Sequence, residues 1–254
     1  MAVTLKKMLV SQPPPDSSKS PYFELAKKYG IEIDFRPFIK VEPVAAKDFR
    51  QQKLSILDFN AVIFTARTAV DHFFKLCDEL RISIPDSMKY FCVTETIAAY
   101  LQKYIVYRKR KIFYCASGRL EDFVKLIGKH PKEKYLIPVS DIHKDDLMRG
   151  LNTKKISYKI AVMYRTVSND FTENEKFDYD LLLFFSPTGI SSLLKNFPQF
   201  IQNDIRIGCF GPTTAKAAIE AGLRLDIVAP TPEAPSMTAA LELFLKKETG
   251  NGDN

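Results

Sequence analysis

Short apolar runs alternate along this chain with stretches whose apolar residues recur at helical spacing. One design appears twice. Ala61-Val62-Ile63-Phe64 breaks into the small, hydroxyl-bearing turn Thr65-Ala66-Arg67-Thr68, and Leu181-Leu182-Leu183-Phe184-Phe185 breaks into Ser186-Pro187-Thr188-Gly189. Each turn enters a helical pattern, with Val70, Phe73, Phe74 and Cys77 in the first copy and Ile190, Leu193, Leu194 and Phe197 in the second. Both sets follow the i, i+3, i+4, i+7 spacing that lays one apolar stripe against a sheet. A buried strand feeding a helix through such a turn leaves backbone N–H groups free at the helix start, where an anion can be held. The duplication predicts two similar lobes with a site between them.

The remaining pattern continues the alternation. Strands are predicted at Met8–Ser11, Tyr90–Val93, Ile112–Ala116, Tyr135–Val139, Ile160–Val167, Ile205–Phe210 and Leu225–Ala229, with Ile31–Val41 extended. Gln12-Pro13-Pro14-Pro15 is a stiff loop. Tyr22–Tyr29 is a helix stopped by Gly30. A second helix turns Ile97, Ala98 and Leu101 inward. Ser117-Gly118-Arg119 opens a third, with Leu120, Phe123, Val124 and Ile127 on one face. Asp145–Leu151 is a short helix. Gly211-Pro212-Thr213-Thr214-Ala215 starts a helix with Ala215, Ala218 and Ile219 inward and Gly222 as its stop, matching Cys92–Ala98 in the first half. Thr231–Ser236 caps a final helix through Leu245, and the polar tail Thr249–Asn254 is expected to be disordered. Alternating strands and helices imply parallel sheets with right-handed crossovers. Ligands bind outside the carboxyl ends of such strands, where Thr65, Thr94, Ser117, Ser186 and Thr213 fall.

Composition narrows the chemistry. The chain has 254 residues, 46% of them hydrophobic, enough for one large domain or two small lobes. The formal net charge of +7 favours an anionic partner. Its basic residues are scattered apart from Arg108-Lys109-Arg110-Lys111, which reads as a solvated turn. A nucleic-acid binder is disfavoured, because no aromatic-interleaved basic stripe or known binding motif is present. The first ten residues lack the pattern of a signal peptide, and no apolar stretch approaches the ~20 residues needed to span a bilayer. Cys77, Cys92, Cys115 and Cys209 lie in apolar segments without metal-site spacing and read as buried thiols of a reducing cytoplasm. His72, His130 and His143 sit among polar residues and read as surface histidines, as the acidic pair Asp145-Asp146 reads as a charged surface segment. There is no phosphate loop of the GxxxxGK type, no GxGxxG, no HExxH and no nucleophile elbow. Nothing announces a metal, a covalent nucleophile or a redox cofactor.

Particular segments resemble a known family. Phe184–Gly189, Cys209–Ala215 and Ala229-Pro230-Thr231-Pro232-Glu233-Ala234 look like the C-terminal signatures of uroporphyrinogen-III synthases, and Val62–Val70 looks like that family's first-half motif. Leu9–Pro13 and Val162–Val167 also fit, so the resemblance covers essentially the whole chain. It implies two parallel-sheet α/β lobes of flavodoxin-like type, joined by a two-stranded antiparallel link near Phe38–Glu42 and Tyr164–Ser168. One lobe would comprise residues 1–40 and 167–254 and the other 41–166, with the active site in the inter-lobe cleft. The implied activity closes the linear tetrapyrrole hydroxymethylbilane to uroporphyrinogen III with inversion of the last pyrrole ring, using no metal or organic cofactor. The polyanionic substrate gives the positive charge and the helix-start amides a purpose. The resemblance further implies a cytoplasmic monomer that meets no nucleic acid or membrane and makes transient contact with the preceding pathway enzyme.

The resemblance assigns Tyr164 as the cleft tyrosine that assists departure of the substrate hydroxyl. The substrate-binding set is Thr65, Ala66, Arg67, Thr94, Thr96, Ser117, Gly118, Arg119, Ser186, Pro187, Thr188, Gly211, Thr213 and Thr214. Two positions depart from the family pattern: Ala66 stands where Ser is usual, and Thr94-Glu95-Thr96-Ile97-Ala98 replaces Gly-x-x-Thr-Ala. Read from the residues alone, Tyr164 is an ordinary strand aromatic and Ser186, Thr188, Thr213 and Thr214 are helix caps. Arg67, Arg119 and Arg165 either pair with substrate carboxylates or are solvated. Ala66 and Ile97 keep a second reading open, a non-catalytic two-lobed binding protein for a polyanionic, tetrapyrrole-like ligand.

Overall fold

The computed structural model describes residues 5–171 and 177–248. The expected disorder of the tail from Thr249 lies outside them. In chain order the strands are β1 (Lys7–Val10), β2 (Glu32–Phe35), β3 (Ile39–Pro43), β4 (Ala61–Phe64), β5 (Lys89–Cys92), β6 (Ile112–Tyr114), β7 (Tyr135–Ser140), β8 (Tyr158–Ser168), β9 (Leu181–Phe184), β10 (Arg206–Phe210) and β11 (Ile227–Ala229). The helices are α1 (Pro21–Tyr29), α2 (Ala46–Gln51), α3 (Arg67–Glu79), α4 (Glu95–Tyr100), α5 (Leu120–Gly128), α6 (Asp146–Thr153), α7 (Pro187–Asn196), α8 (Pro212–Glu220) and α9 (Met237–Glu248). The chain divides into two compact units, Met1–Lys40 with Val167–Asn254, and Val41–Thr166.

The unit built from both chain ends holds a sheet in the order β11-β10-β9-β1-β2, parallel throughout. Numbered by their succession within the unit, the strands run 2-1-3-4-5, the flavodoxin-like order. Every residue of β9 is buried because both faces of the sheet are covered. Leu181 and Leu183 join Leu25, Met237, Leu241 and Leu245 of α1 and α9 on one face. Leu182 and Phe184 join Ile190, Leu193, Ala215 and Ala218 of α7 and α8 on the other. The strand period of two thus sorts one apolar run into two cores.

The second unit holds the order β3-β8-β7-β4-β5-β6. Strands β4 to β8 are parallel in the order 3-2-1-4-5, the other doubly wound arrangement. One face packs Phe49, Phe73 and Leu101, and the other packs Phe123, Ile127 and Leu151. Strand β3 runs antiparallel to β8, since Val44 N–H donates to Met163 O while Asn169 N–H donates to Phe38 O. The chain passes from one unit to the other within these two strands.

Several local expectations are corrected. Ile219 does not face inward: it is 63% exposed, and the buried face of α8 is Thr214, Ala215 and Ala218. Small side chains let α8 lie close against β10 and α7, and that close approach leaves Ile219 outside the contact. On α7, Leu194 and Phe197 are only half-buried, and Ser192 takes an inward place. Its hydroxyl is tolerated there because it donates to Phe38 O at 2.5 Å. The extended segment expected over Ile31–Val41 is broken between Phe35 and Ile39 into β2 and β3. Helix α2 carries no stripe that its sequence could announce; its one buried residue is Phe49. Gly30, expected to stop α1, does so at φ 67° in the left-handed region that favours glycine.

Candidate active site

The turns that leave the carboxyl ends of the strands carry the candidate residues, and each unit presents its own set. In the central unit, β4 ends at Phe64 and the chain enters α3 through exposed Thr65 and half-buried Ala66. Ala66 occupies the N-cap and has no side chain able to accept from the first-turn N–H groups, which are left without a side-chain cap. Arg67 is exposed, with its guanidinium 5.4 Å from the centre of the Tyr100 ring. After β5, Thr94 caps α4 by accepting from Ile97 N at 3.4 Å, and its hydroxyl lies 2.9 Å from that of Thr96. Thr94 thus supplies a cap at the displaced family motif.

Ser117 and Arg119 are committed to a neighbour. The Ser117 hydroxyl donates to Asp122 at 2.9 Å, Arg119 Nε donates to the same oxygen at 2.9 Å, and Lys125 donates to the other at 3.1 Å. These contacts, Ser117 first, hold the Asp122 carboxyl down at about 2. Gly118 adopts φ 64°, which turns the backbone into α5.

In the other unit, Ser186 caps α7 by accepting from Gly189 N at 3.1 Å, with Pro187 at the first helical position. Helix α8 starts at Gly211, whose φ of 90° is open to glycine and whose N–H donates to Ala229 O at 2.6 Å. No side chain caps α8. Thr213 is exposed, whereas Thr214 is 1% exposed and packs inward, so only the first of the pair lies open at the helix start. Thr188 is half-buried.

Tyr164 lies on β8 at 9% exposure, among the residues packed around Phe64, Val70 and Phe73. Burial raises its phenol pKa, so the hydroxyl keeps its proton. The β7–β8 register slips just before it: Val139 faces Val162, but Ser140 faces Tyr164. Such a bulge re-aims the side chains that follow it. Asp141 fixes the bulged end. Its carboxylate accepts from Thr166 N at 3.0 Å, the Ser140 hydroxyl at 2.9 Å and Ile142 N at 3.0 Å, and its own N–H donates to Tyr164 O at 3.1 Å. Burial works against the charged form of Asp141, but those hydrogen bonds outweigh it and hold the pKa below the ordinary carboxylate value. Arg165 pairs with Asp48 at 3.8 Å.

The surface reading of two histidines is corrected. His72 stacks on Tyr164 with ring centres 5.0 Å apart and planes 18° from parallel, and its Nδ1 is buried without a partner. His130 packs against Phe91 and Phe113. Polar sequence neighbours conceal the burial of His72 because adjacent helical residues point to different faces, and His130 lies just past the end of α5, where no helical stripe marks it. His143 is exposed, its Nδ1 2.8 Å from Ser140 O. The four cysteines are buried and free. Arg108 and Lys111 of the basic run pair with Asp86 at 2.9 and 2.8 Å.

An open pocket of about 250 Å³ lies where the strand order of the central unit reverses, between the ends of β4 and β7. Val93, Leu120, Ile137 and Leu147 give it apolar walls, and Thr65 and Lys144 contribute polar groups. This is the place at which doubly wound sheets hold ligands. Another pocket, lined by Asp86, Arg108 and Lys111, sits at the amino ends of β5 and β6 and so at the opposite edge.

Sequence reasoning passed over Gln52, Asp71 and Asp141 and read His72 as a surface residue. Asp71 gathers Tyr100, Tyr104 and Lys103 around its carboxylate on α3. Only the neighbourhood of Asp71 and His72 in sequence was visible, and it gave no sign of these partners.

The sequence model of the uroporphyrinogen-III synthase HemD family matches residues 20–239. The chain belongs to the uroporphyrinogen-III synthase family. Uroporphyrinogen-III synthase of Schizosaccharomyces pombe is 24% identical over 241 residues, covering 88% of this chain and 92% of its own. The Saccharomyces cerevisiae enzyme is 28% identical over 140 residues, a match that spans 49% of this chain and 50% of that protein. Among solved structures, uroporphyrinogen-III synthetase from Helicobacter pylori superposes with a TM-score of 0.58 at 20% identity, covering 96% of this chain and 100% of that one. The fold is therefore that of the uroporphyrinogen-III synthases. Among the described residues no helix is long and apolar enough to cross a membrane.

Proposed function

We propose that this chain closes hydroxymethylbilane to uroporphyrinogen III with inversion of the last pyrrole ring. Membership of the family, matched over residues 20–239, is the observation that carries the reading. The geometry supports it through the kind of groups at the carboxyl edges. The uncapped helix starts at Ala66 and Gly211, with the hydroxyls of Thr65, Thr96, Thr188 and Thr213, are suited to substrate carboxylates. Arg67, which is exposed and lies over Tyr100, suits the same task.

Loss of water from the bilane generates an electrophilic azafulvene. The terminal ring attacks it through a substituted carbon, and the resulting spiro intermediate fragments and recloses inverted. Tyr164, kept protonated by burial, donates its proton to the departing hydroxyl. Direct closure needs no protein and gives the type I isomer, so the enzyme's task is to hold the two ends in the geometry of the spiro path. The cellular part of the reading is a cytoplasmic monomer that takes its substrate from the enzyme that makes it; four buried, reduced thiols support the compartment.

The test is to supply purified protein with enzymatically generated hydroxymethylbilane, oxidise the product and separate the isomers. Type III product, formed at an unchanged rate in chelator, is expected. Type I product alone would favour a non-catalytic binding protein, the reading that Ala66 and Ile97 leave open.

A further inference from the structure

Tyr164 is the candidate acid, yet among the described residues no hydrogen bond holds its hydroxyl. Its orientation must come from packing. The Val162–Tyr164 bulge sets where the side chain leaves the strand, and the core around Phe64, Val70 and Phe73 encloses its base. The face of His72 packs on the ring itself, parallel to the phenol within 18° and 5.0 Å away between ring centres. His72 belongs to α3, the helix that begins at Ala66 and Arg67. One rigid element therefore carries both an uncapped helix start and the ring packed on the candidate acid.

The arrangement excludes one role for His72 and favours another. Imidazole N–H groups lie in the plane of the ring, and the phenol hydroxyl lies in the plane of its own. Two parallel rings cannot exchange a proton face to face, so His72 is not a base or relay for Tyr164 through this contact. Its Nδ1 is buried without a partner, and burial first, then Lys75, favours the neutral ring. The polar atom is a cost that an apolar ring of similar outline would not carry. What His72 supplies at this contact is a flat face.

We infer that His72 is a positioning residue for Tyr164, acting through the planar face of its imidazole to hold the phenol in the orientation from which it donates. This rests on the role of Tyr164 proposed above. The chemistry asks for little else: a proton donor displaced by about 1 Å can lose up to ~100-fold in rate, and a phenol fixed only by packing is displaced when its platform is removed.

The experiment is a double-mutant cycle on the full chain, assayed with enzymatically generated hydroxymethylbilane and normalised to folded protein by circular dichroism. The proteins are the parent, His72→Ala, His72→Leu, His72→Phe, Tyr164→Phe and His72→Ala with Tyr164→Phe. His72→Ala and His72→Leu are expected to lower kcat about tenfold with KM unchanged within about twofold, and His72→Phe to recover most of that loss. The leucine variant keeps apolar volume without a flat face and serves if alanine does not fold. In the Tyr164→Phe background, His72→Ala should cost less than about twofold more, because there is no hydroxyl left to aim. Equal losses in both backgrounds, a change in KM alone, or a phenylalanine variant as slow as leucine would each overturn the inference. A slow Tyr164→Phe with an unimpaired His72→Leu sinks it while sparing Tyr164; a silent Tyr164→Phe sinks both.

Discussion

Gln52 occupies both backbone groups of Val162: its Nε2 donates to Val162 O at 2.7 Å, and Val162 N–H donates to its Oε1 at 2.9 Å. A side-chain amide thus stands in for a strand partner at the point where the β7–β8 register slips, two residues before Tyr164. Replacing Gln52 by Leu leaves a half-buried N–H and C=O without this partner. The expected loss is about 2 kcal/mol, or about 4–8 °C in melting temperature for a chain of this size. Gln52→Glu keeps the acceptor, loses the donor and should fall between. Calorimetry checks both, and a leucine variant that melts with the parent would show that water replaces the amide freely.

Tyr164→Phe removes the proton and keeps the ring on His72. Turnover is expected to fall about ten- to 100-fold, since general acid assistance is worth about 10²–10⁴-fold and an electron-rich pyrrole already expels the hydroxyl. The isomer ratio should stay in favour of type III, because it depends on how the bilane is held. Steady-state kinetics with isomer separation tests this; a full rate would move proton delivery to another group.

The two threonines at the start of α8 should separate in their effects. Thr213 is exposed, whereas Thr214 is buried. Thr213→Val is expected to raise KM about fivefold with little change in kcat, the worth of one hydrogen bond. Thr214→Val should leave KM alone and alter the melting temperature. If Thr214→Val moves KM and Thr213→Val does not, the binding face of α8 has been assigned to the wrong residue.

Stability should fall in mild acid. Burial is the leading cause that holds the pKa values of His72 and His130 below the ordinary histidine value, with Lys75 and Lys89 adding to it. The unfolded chain takes up these protons near pH ~6.5, while the folded chain resists them. The contribution is complete above that pH and is lost as pH falls from there through the folded pKa values. The melting temperature is expected to be lower at pH 5.5 than at pH 7.5, and the drop should shrink in a variant carrying His72→Phe and His130→Phe. An equal drop in both proteins would assign the acid sensitivity elsewhere.

The sequence by itself determined most of the elements, though not α2 or the break between β2 and β3, and their class. Leu181–Phe185 is apolar at every position and bounded by Asp180 and Ser186, so it reads as a strand covered on both faces. Val70, Phe73 and Cys77 recur at helical spacing, so they read as one buried stripe. Gly30 and Gly211 marked the ends of helices because left-handed or otherwise glycine-favouring backbone is a local requirement. These features depend on neighbours a few residues away, which is the range over which periodicity and turn chemistry act.

Tertiary structure decided which element covers each face. Ile219 sits at a spacing as suitable as that of Ala218, but α8 approaches β10 and α7 through its small residues and leaves Ile219 in solvent. Ser192 is inside because Phe38 O, from the segment just before β3 and far away in the sequence, is there to accept its hydrogen bond. His72 looked like a surface residue beside Asp71 until β8 brought Tyr164 beneath its ring. Gln52 and Val162 are 110 residues apart. No local pattern encodes such pairs: a side chain's partner across a sheet is fixed by strand order and register, and these are chosen by the packing of the whole unit.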